Sequence, residues 1–96
     1  MTIENVKEII NKNKKFLKEK YKVKSIRIFG SFARREEGAD SDIDVLVEFY
    51  TSPDIFKFME LEEFLENLLG TGVDLVTEQA LKPLIKDKIL EEAVYI

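Results

Sequence analysis

The 96-residue chain has no cysteine and no histidine. The first absence excludes disulfides, thiol nucleophiles and thiolate metal sites, and the second excludes imidazole bases and most zinc centres. Any chemistry must therefore use carboxylates, hydroxyls, Lys, Arg or Tyr. Gly and Pro are scarce, at four and two, while hydrophobic residues make up 45% of the chain, which argues against a disordered or fibrous polypeptide. No apolar run approaches the roughly 18 residues that span a bilayer, and Met1-Thr2-Ile3-Glu4-Asn5 lacks the charged-then-apolar layout of a signal peptide. The expectation is a cytoplasmic protein with no membrane association, and the length has room for one domain, residues 1–96.

Charge is unevenly distributed. Residues 1–35 carry eleven Lys/Arg against three Glu, whereas residues 36–96 carry four Lys against sixteen Asp/Glu. Such asymmetry suggests an anion-facing part beside a cation-facing or partner-facing one; a solvated Lys-rich helix explains the basic third equally well.

Ile3, Val6, Ile9, Ile10, Phe16 and Leu17 form one apolar stripe and predict a helix over residues 3–20, capped by Thr2. Val23 to Phe29 is a β-branched stretch ending at Gly30 and reads as a strand. Ser31 to Arg35 fits the first turn of a short helix with Ser31 near its N-cap, followed by a polar loop to Ser41. From Asp42 to Phe49, strict alternation puts Ile43, Val45, Val47 and Phe49 on one face and Asp42, Asp44, Leu46 and Glu48 on the other. Ser52-Pro53-Asp54 opens a long, heavily buried helix closed by Gly70. Its Phe56, Phe58, Met59 and Phe64 read as core or an oligomer seam rather than a base-stacking platform. Val73 to Val76 is a short strand, and Leu81 to about Val94 a last helix with Leu84, Ile85, Ile89, Leu90 and Ala93 inward. The fold class is α/β, a small mixed sheet of three to four strands packed by helices.

Asp42 and Asp44, at i and i+2 of a strand, present carboxylates about 6–7 Å apart on one face, and such a pair needs a cation. Asp74 stands in the next strand, where Asp is disfavoured by propensity, and such local rule-breaking is expected at functional sites. Three carboxylates from neighbouring strands suit one or two Mg²⁺ ions completed by water and substrate phosphates. Singly, each aspartate has a plainer reading as a strand start, a solvated residue or a turn acid. The Gly30-Ser31 turn weakens those readings, because it offers backbone N–H groups and a hydroxyl to a phosphate. Arg34 and Arg35 follow within one turn; Arg34 is the better candidate for phosphate neutralisation, and a solvated pair is the alternative.

Gly30-Ser31, ten intervening residues and Asp42-Ile43-Asp44 resemble the signature of the DNA polymerase beta-like nucleotidyltransferases, with Asp74 where the third carboxylate falls. Over nearly its full length the chain looks like the minimal nucleotidyltransferases, the MNT or MntA-type antitoxins paired with HEPN ribonuclease toxins. It departs at Arg35, where that family often has Gly. The resemblance implies transfer of AMP from ATP to a protein hydroxyl, with a tyrosine of the HEPN toxin as acceptor. It also implies that Gly30 and Ser31 hold the triphosphate and that Asp42, Asp44 and Asp74 bind Mg²⁺, with Asp74 accepting the hydroxyl's proton; Ser41 and the Ala33-Arg34 pair fit the pattern too. Two other readings stay open: an antitoxin that masks its partner by binding, and a transferase acting on a small molecule. Nucleic acid is a poor candidate substrate, since so short and acidic a chain has no further domain to hold a template.

Overall fold

The computed structural model describes residues 1–36, 38 and 41–96. The chain forms helix α1 (Ile3–Lys12), helix α2 (Lys14–Tyr21), strand β1 (Val23–Phe29), strand β2 (Ile43–Phe49), helix α3 (Ile55–Leu69), strand β3 (Val73–Val76), a 3₁₀ turn (Glu78–Ala80), helix α4 (Pro83–Glu92) and strand β4 (Val94–Tyr95). The strands make a mixed sheet in the order β3-β2-β1-β4. β1 runs antiparallel to β2 and to β4, and β2 runs parallel to β3. Helix α3 makes the parallel crossover, as a β-strand pair of that sense requires. The expected α/β architecture, a small mixed sheet of three to four strands packed by helices, is found with four strands.

Alternation in the strands decides where the core lies. Ile26, Ile28, Ile43, Val45, Val47, Val73 and Leu75 point to one face and pack against Ile3, Val6 and Ile10 of α1, Leu17 and Tyr21 of α2, and Leu61, Leu65 and Leu69 of α3. The other face carries Asp44, Leu46 and Glu48 of β2 and Asp74 of β3. Among the described residues no helix is long and apolar enough to cross a membrane.

Four expectations need correction. The single helix over 3–20 is two, broken at Asn13, whose N–H turns back to Ile10 O at 2.9 Å while its side-chain amide donates to Ile9 O at 2.8 Å. The apolar stripe runs through the break because both helices lie on the same core, and Thr2 does cap the first, in a reciprocal capping box with Asn5. Helix α3 is less buried than its composition suggests: Leu61, Leu65 and Leu69 are inside, but Ile55, Phe56 and Met59 are exposed. In α4 no residue is buried and Leu84 is 99% exposed, so the inward set proposed for that helix is wrong at Leu84 and Ile85. The short helix after Gly30 is instead a hydrogen-bonded turn, with Arg34 N–H to Gly30 O at 3.1 Å and Glu36 N–H to Ser31 O at 2.8 Å. The polar loop expected before Ser41 falls partly, at Glu37, Ala39 and Asp40, outside the described residues.

Candidate active site

Pairing in the sheet brings the singled-out residues together. Phe29, the last residue of β1, sits opposite Asp44, and Asp44 sits opposite Asp74 in β3. The Gly30-Ser31 turn therefore leaves β1 beside the aspartate row. Asp42 precedes β2, in a stretch tied to the next strand by Ile43 N–H to Gly72 O at 2.9 Å.

Two glycines make room for the carboxylates. Gly30 has φ +71°, in the region that L side chains rarely adopt, and a Cβ there would run into the Asp44 carboxylate. A Cβ at Gly72 would meet Asp42 Oδ1 in the same way. Gly30 thus has a steric reason for being glycine that is independent of any ligand, and Gly72, not singled out from the sequence, shares it. The signal for Gly72 was its place two residues before the odd aspartate of a short strand.

Electrostatics single out Asp44. Burial first, then the neighbouring Asp74 and Asp42 carboxylates, push its carboxyl above the ordinary range; Arg34 pulls it down and Glu92 adds to the rise. The row has an unmet need for positive charge. Its donors are all carboxylate oxygens, which is the chemistry a hard divalent ion such as Mg²⁺ takes. Among the described residues no three acidic side chains converge on a common point as a closed metal cluster, so the set is open. In kind of donor and in charge, it fits Mg²⁺ with most of the coordination left to water and substrate.

The other expected residues fall into two groups. Ser31 lies in the turn beside Asp44, and no protein acceptor for the N–H groups of Ser31, Phe32 or Ala33 is found among the described residues. Arg34 reaches the site, but its guanidinium is shared between Glu36 at 3.0 Å and Glu92 at 3.1 Å. Ser41 instead closes its own loop, its hydroxyl accepting from Gly38 N–H at 2.8 Å. Arg35, where the departure from the family pattern lies, has φ 58°, so the conformation that favours Gly is adopted by an arginine. Glu92 was missed in the sequence. It ends α4 and accepts the Gly30 N–H at 2.9 Å. A carboxylate in a helix's last turn opposes the helix dipole, and that was the available clue.

A hollow of about 750 Å³ lies at the other ends of β2 and β3, between the start of α3 and the 3₁₀ turn, and none of the three aspartates lines it. Among the described residues the aspartate row lies at a sheet end where Asp42 and Asp74 are exposed and Asp44 is half-buried.

Residues 10–96 match the family described as "Nucleotidyltransferase domain". A chain of Methanocaldococcus jannaschii, provisionally named a protein adenylyltransferase, is 58% identical over 96 residues, covering 99% of this chain and 98% of its own. The protein adenylyltransferase MntA of Thermococcus cleftensis is 46% identical over 96 residues, covering 100% and 97%. Among solved structures, a chain in the crystal structure of a toxin–antitoxin with AMP-PNP superposes with a TM-score of 0.73 at 27% identity, covering 88% of this chain and 69% of that one. The family match over residues 10–96 and these likenesses show that the chain belongs to the nucleotidyltransferase domain family and is a nucleotidyltransferase by fold and family.

Proposed function

We propose that the protein is a Mg²⁺-dependent protein adenylyltransferase that moves AMP from ATP to a hydroxyl of a HEPN-type ribonuclease toxin, a tyrosine, and so acts as its antitoxin. The observation that carries this reading is the register Phe29–Asp44–Asp74, which sets the Gly30-Ser31 turn beside two facing carboxylates. The adenylyltransferase names of its relatives and the toxin–antitoxin complex with an ATP analogue support it.

In this mechanism the N–H groups of Ser31, Phe32 and Ala33 and the Ser31 hydroxyl cradle the triphosphate, and Arg34 takes up part of its charge. Gly30 contributes by having no side chain, which keeps Asp44 against the turn. Asp42, Asp44 and Asp74 are the residues that would hold Mg²⁺, which when bound supplies charge neutralisation at the phosphates. The acceptor oxygen attacks the α-phosphorus in line, the bond from that phosphorus to the bridging oxygen of the β-phosphate breaks, and diphosphate leaves. Asp74, exposed at the edge of the row, takes the hydroxyl proton. With neither Cys nor His available, direct displacement is the simplest course. The exposed sheet end leaves the acceptor to be delivered by another macromolecule.

The test is incubation with ATP labelled at the α-phosphate and Mg²⁺, with and without the protein encoded by the neighbouring gene, read by intact mass. A gain of AMP on that protein, lost in Asp42→Asn/Asp44→Asn, is the expected result. Tight complex formation that silences the partner with no mass gain would replace adenylyl transfer with masking.

A further inference from the structure

The link between the C-terminal end of the chain and the Gly30 turn rests on one carboxylate. β4 pairs with β1 so that Val94 faces Ile28 and Tyr95 faces Arg27. Carried two residues further, that antiparallel register sets Glu92 opposite Gly30. There Glu92 accepts the Gly30 N–H at 2.9 Å and the Arg34 Nη1 at 3.1 and 3.3 Å, with its side chain 19% exposed. Helix α4 itself has no buried residue; Val94, two residues beyond Glu92, packs against the core, and Glu92 adds a polar tie from the helix end to the turn. A carboxylate at that end of a helix is unfavourable unless donors compensate it, and Gly30 N–H and Arg34 are those donors.

On the reading that the triphosphate sits at the Gly30-Ser31 turn, we propose that Glu92 is a positioning residue for the nucleotide. One carboxylate fixes the backbone of Gly30 and the guanidinium of Arg34 relative to each other. Arg34 spends Nε on Glu36 and Nη1 on Glu92, and Nη2 has no partner among the described residues. That nitrogen, with its two N–H groups, is what the arrangement turns toward phosphate oxygens. Glu92 acts through Arg34 and the turn and itself touches no substrate.

The experiment is calorimetric titration of the full chain with Mg²⁺ and AMP-PNP, using wild type, Glu92→Ala, Glu92→Gln, Arg34→Ala and the Arg34→Ala/Glu92→Ala double variant, with thermal melts of each. Glu92→Ala should weaken binding about tenfold, and Glu92→Gln, which still accepts from Gly30 N–H and keeps the fold, by about threefold. In the Arg34→Ala background the Glu92→Ala effect should shrink to about threefold, the part carried by the Gly30 N–H, because the rest acts through Arg34. Tighter binding by Glu92→Ala would overturn the proposal and make the carboxylate a competitor of phosphate. So would an equal loss in both backgrounds, which marks a merely structural role. If Asp42→Asn/Asp44→Asn loses the nucleotide while both Glu92 variants keep wild-type affinity, this inference alone fails. If wild type binds no nucleotide, the functional reading fails and takes the inference with it.

Discussion

On the helix-covered face of the sheet, Ile28, Ile43 and Val45 are wholly inaccessible and meet equally buried Val6, Ile10, Leu61 and Leu65. On the other face the same strands present Arg27, Asp44 and Glu48 beside one buried apolar side chain, Leu46, and helix α4 contributes no buried side chain. Neighbouring residues of one strand, Ile43 and Asp44, thus serve different ends, because a strand sends successive side chains to opposite sides. The difference shows that stability is concentrated on one face. The other holds like charges close together, an arrangement that costs stability and on which the proposed mechanism relies.

The sharpest way to test this separation is to neutralise the aspartates. Asp42→Asn/Asp44→Asn should lower AMP transfer by at least about 10³-fold, or about 4 kcal/mol in the barrier. The melting temperature should hold or rise, since burial first and then like-charge repulsion raise the Asp44 carboxyl, and the neutral amides remove both penalties. A large fall in melting temperature alongside lost activity would put the aspartates in the structural half. The converse is Leu65→Ala on the packed face, with an expected cost of about 3 kcal/mol in denaturant unfolding. The surviving folded fraction should transfer AMP at the normal rate, and a selective loss of activity would break the comparison.

Tyr21 gives a smaller effect. Burial, reinforced by facing Glu60, pushes its phenol up to about 12 from 10.0. Because the folded form holds its proton more tightly, the contribution is complete below pH 10.0 and is lost as pH rises through about 12. Over that window the wild type should lose about 2 kcal/mol more than Tyr21→Phe, as read by urea unfolding at several pH values. Parallel curves for the two proteins would refute the burial argument. Smallest is Arg35→Gly, which relieves an arginine at φ 58°. Relief of the left-handed conformation is offset by glycine's greater freedom when unfolded and by loss of the exposed Arg35–Glu4 pair, leaving a gain of under about 1 kcal/mol. A loss of stability on this substitution would mean that the pair, and not the backbone, governs the turn.

How far the sequence could be read followed from how local each cause is. β1 and β3 fall on the expected residues, and β2 begins one residue later, at Ile43. There, period-two alternation with β-branched residues leaves little choice of face or register. The aspartates and the Gly30-Ser31 turn were legible because strand periodicity aims Asp44 and a single turn places Gly30. The break at Asn13 was hidden because both helices share one stripe. Leu84 misled because an apolar residue at helical spacing does not reveal whether anything lies opposite it. Glu92 was beyond reach because its partner Gly30 is 62 residues away and joined only through the β1–β4 register.

The glycines opposite the aspartates bear on anyone redesigning this chain for robustness. A rule that replaces glycine by alanine wherever the backbone is ordinary would spare Gly30, flagged by its positive φ, and would accept Gly72, which carries no such flag. The alanine methyl at position 72 would then press on the Asp42 carboxylate. Transplanting the aspartate row to another scaffold is subject to the same condition: the three acids travel only with the two hydrogens that stand in for side chains at positions 30 and 72.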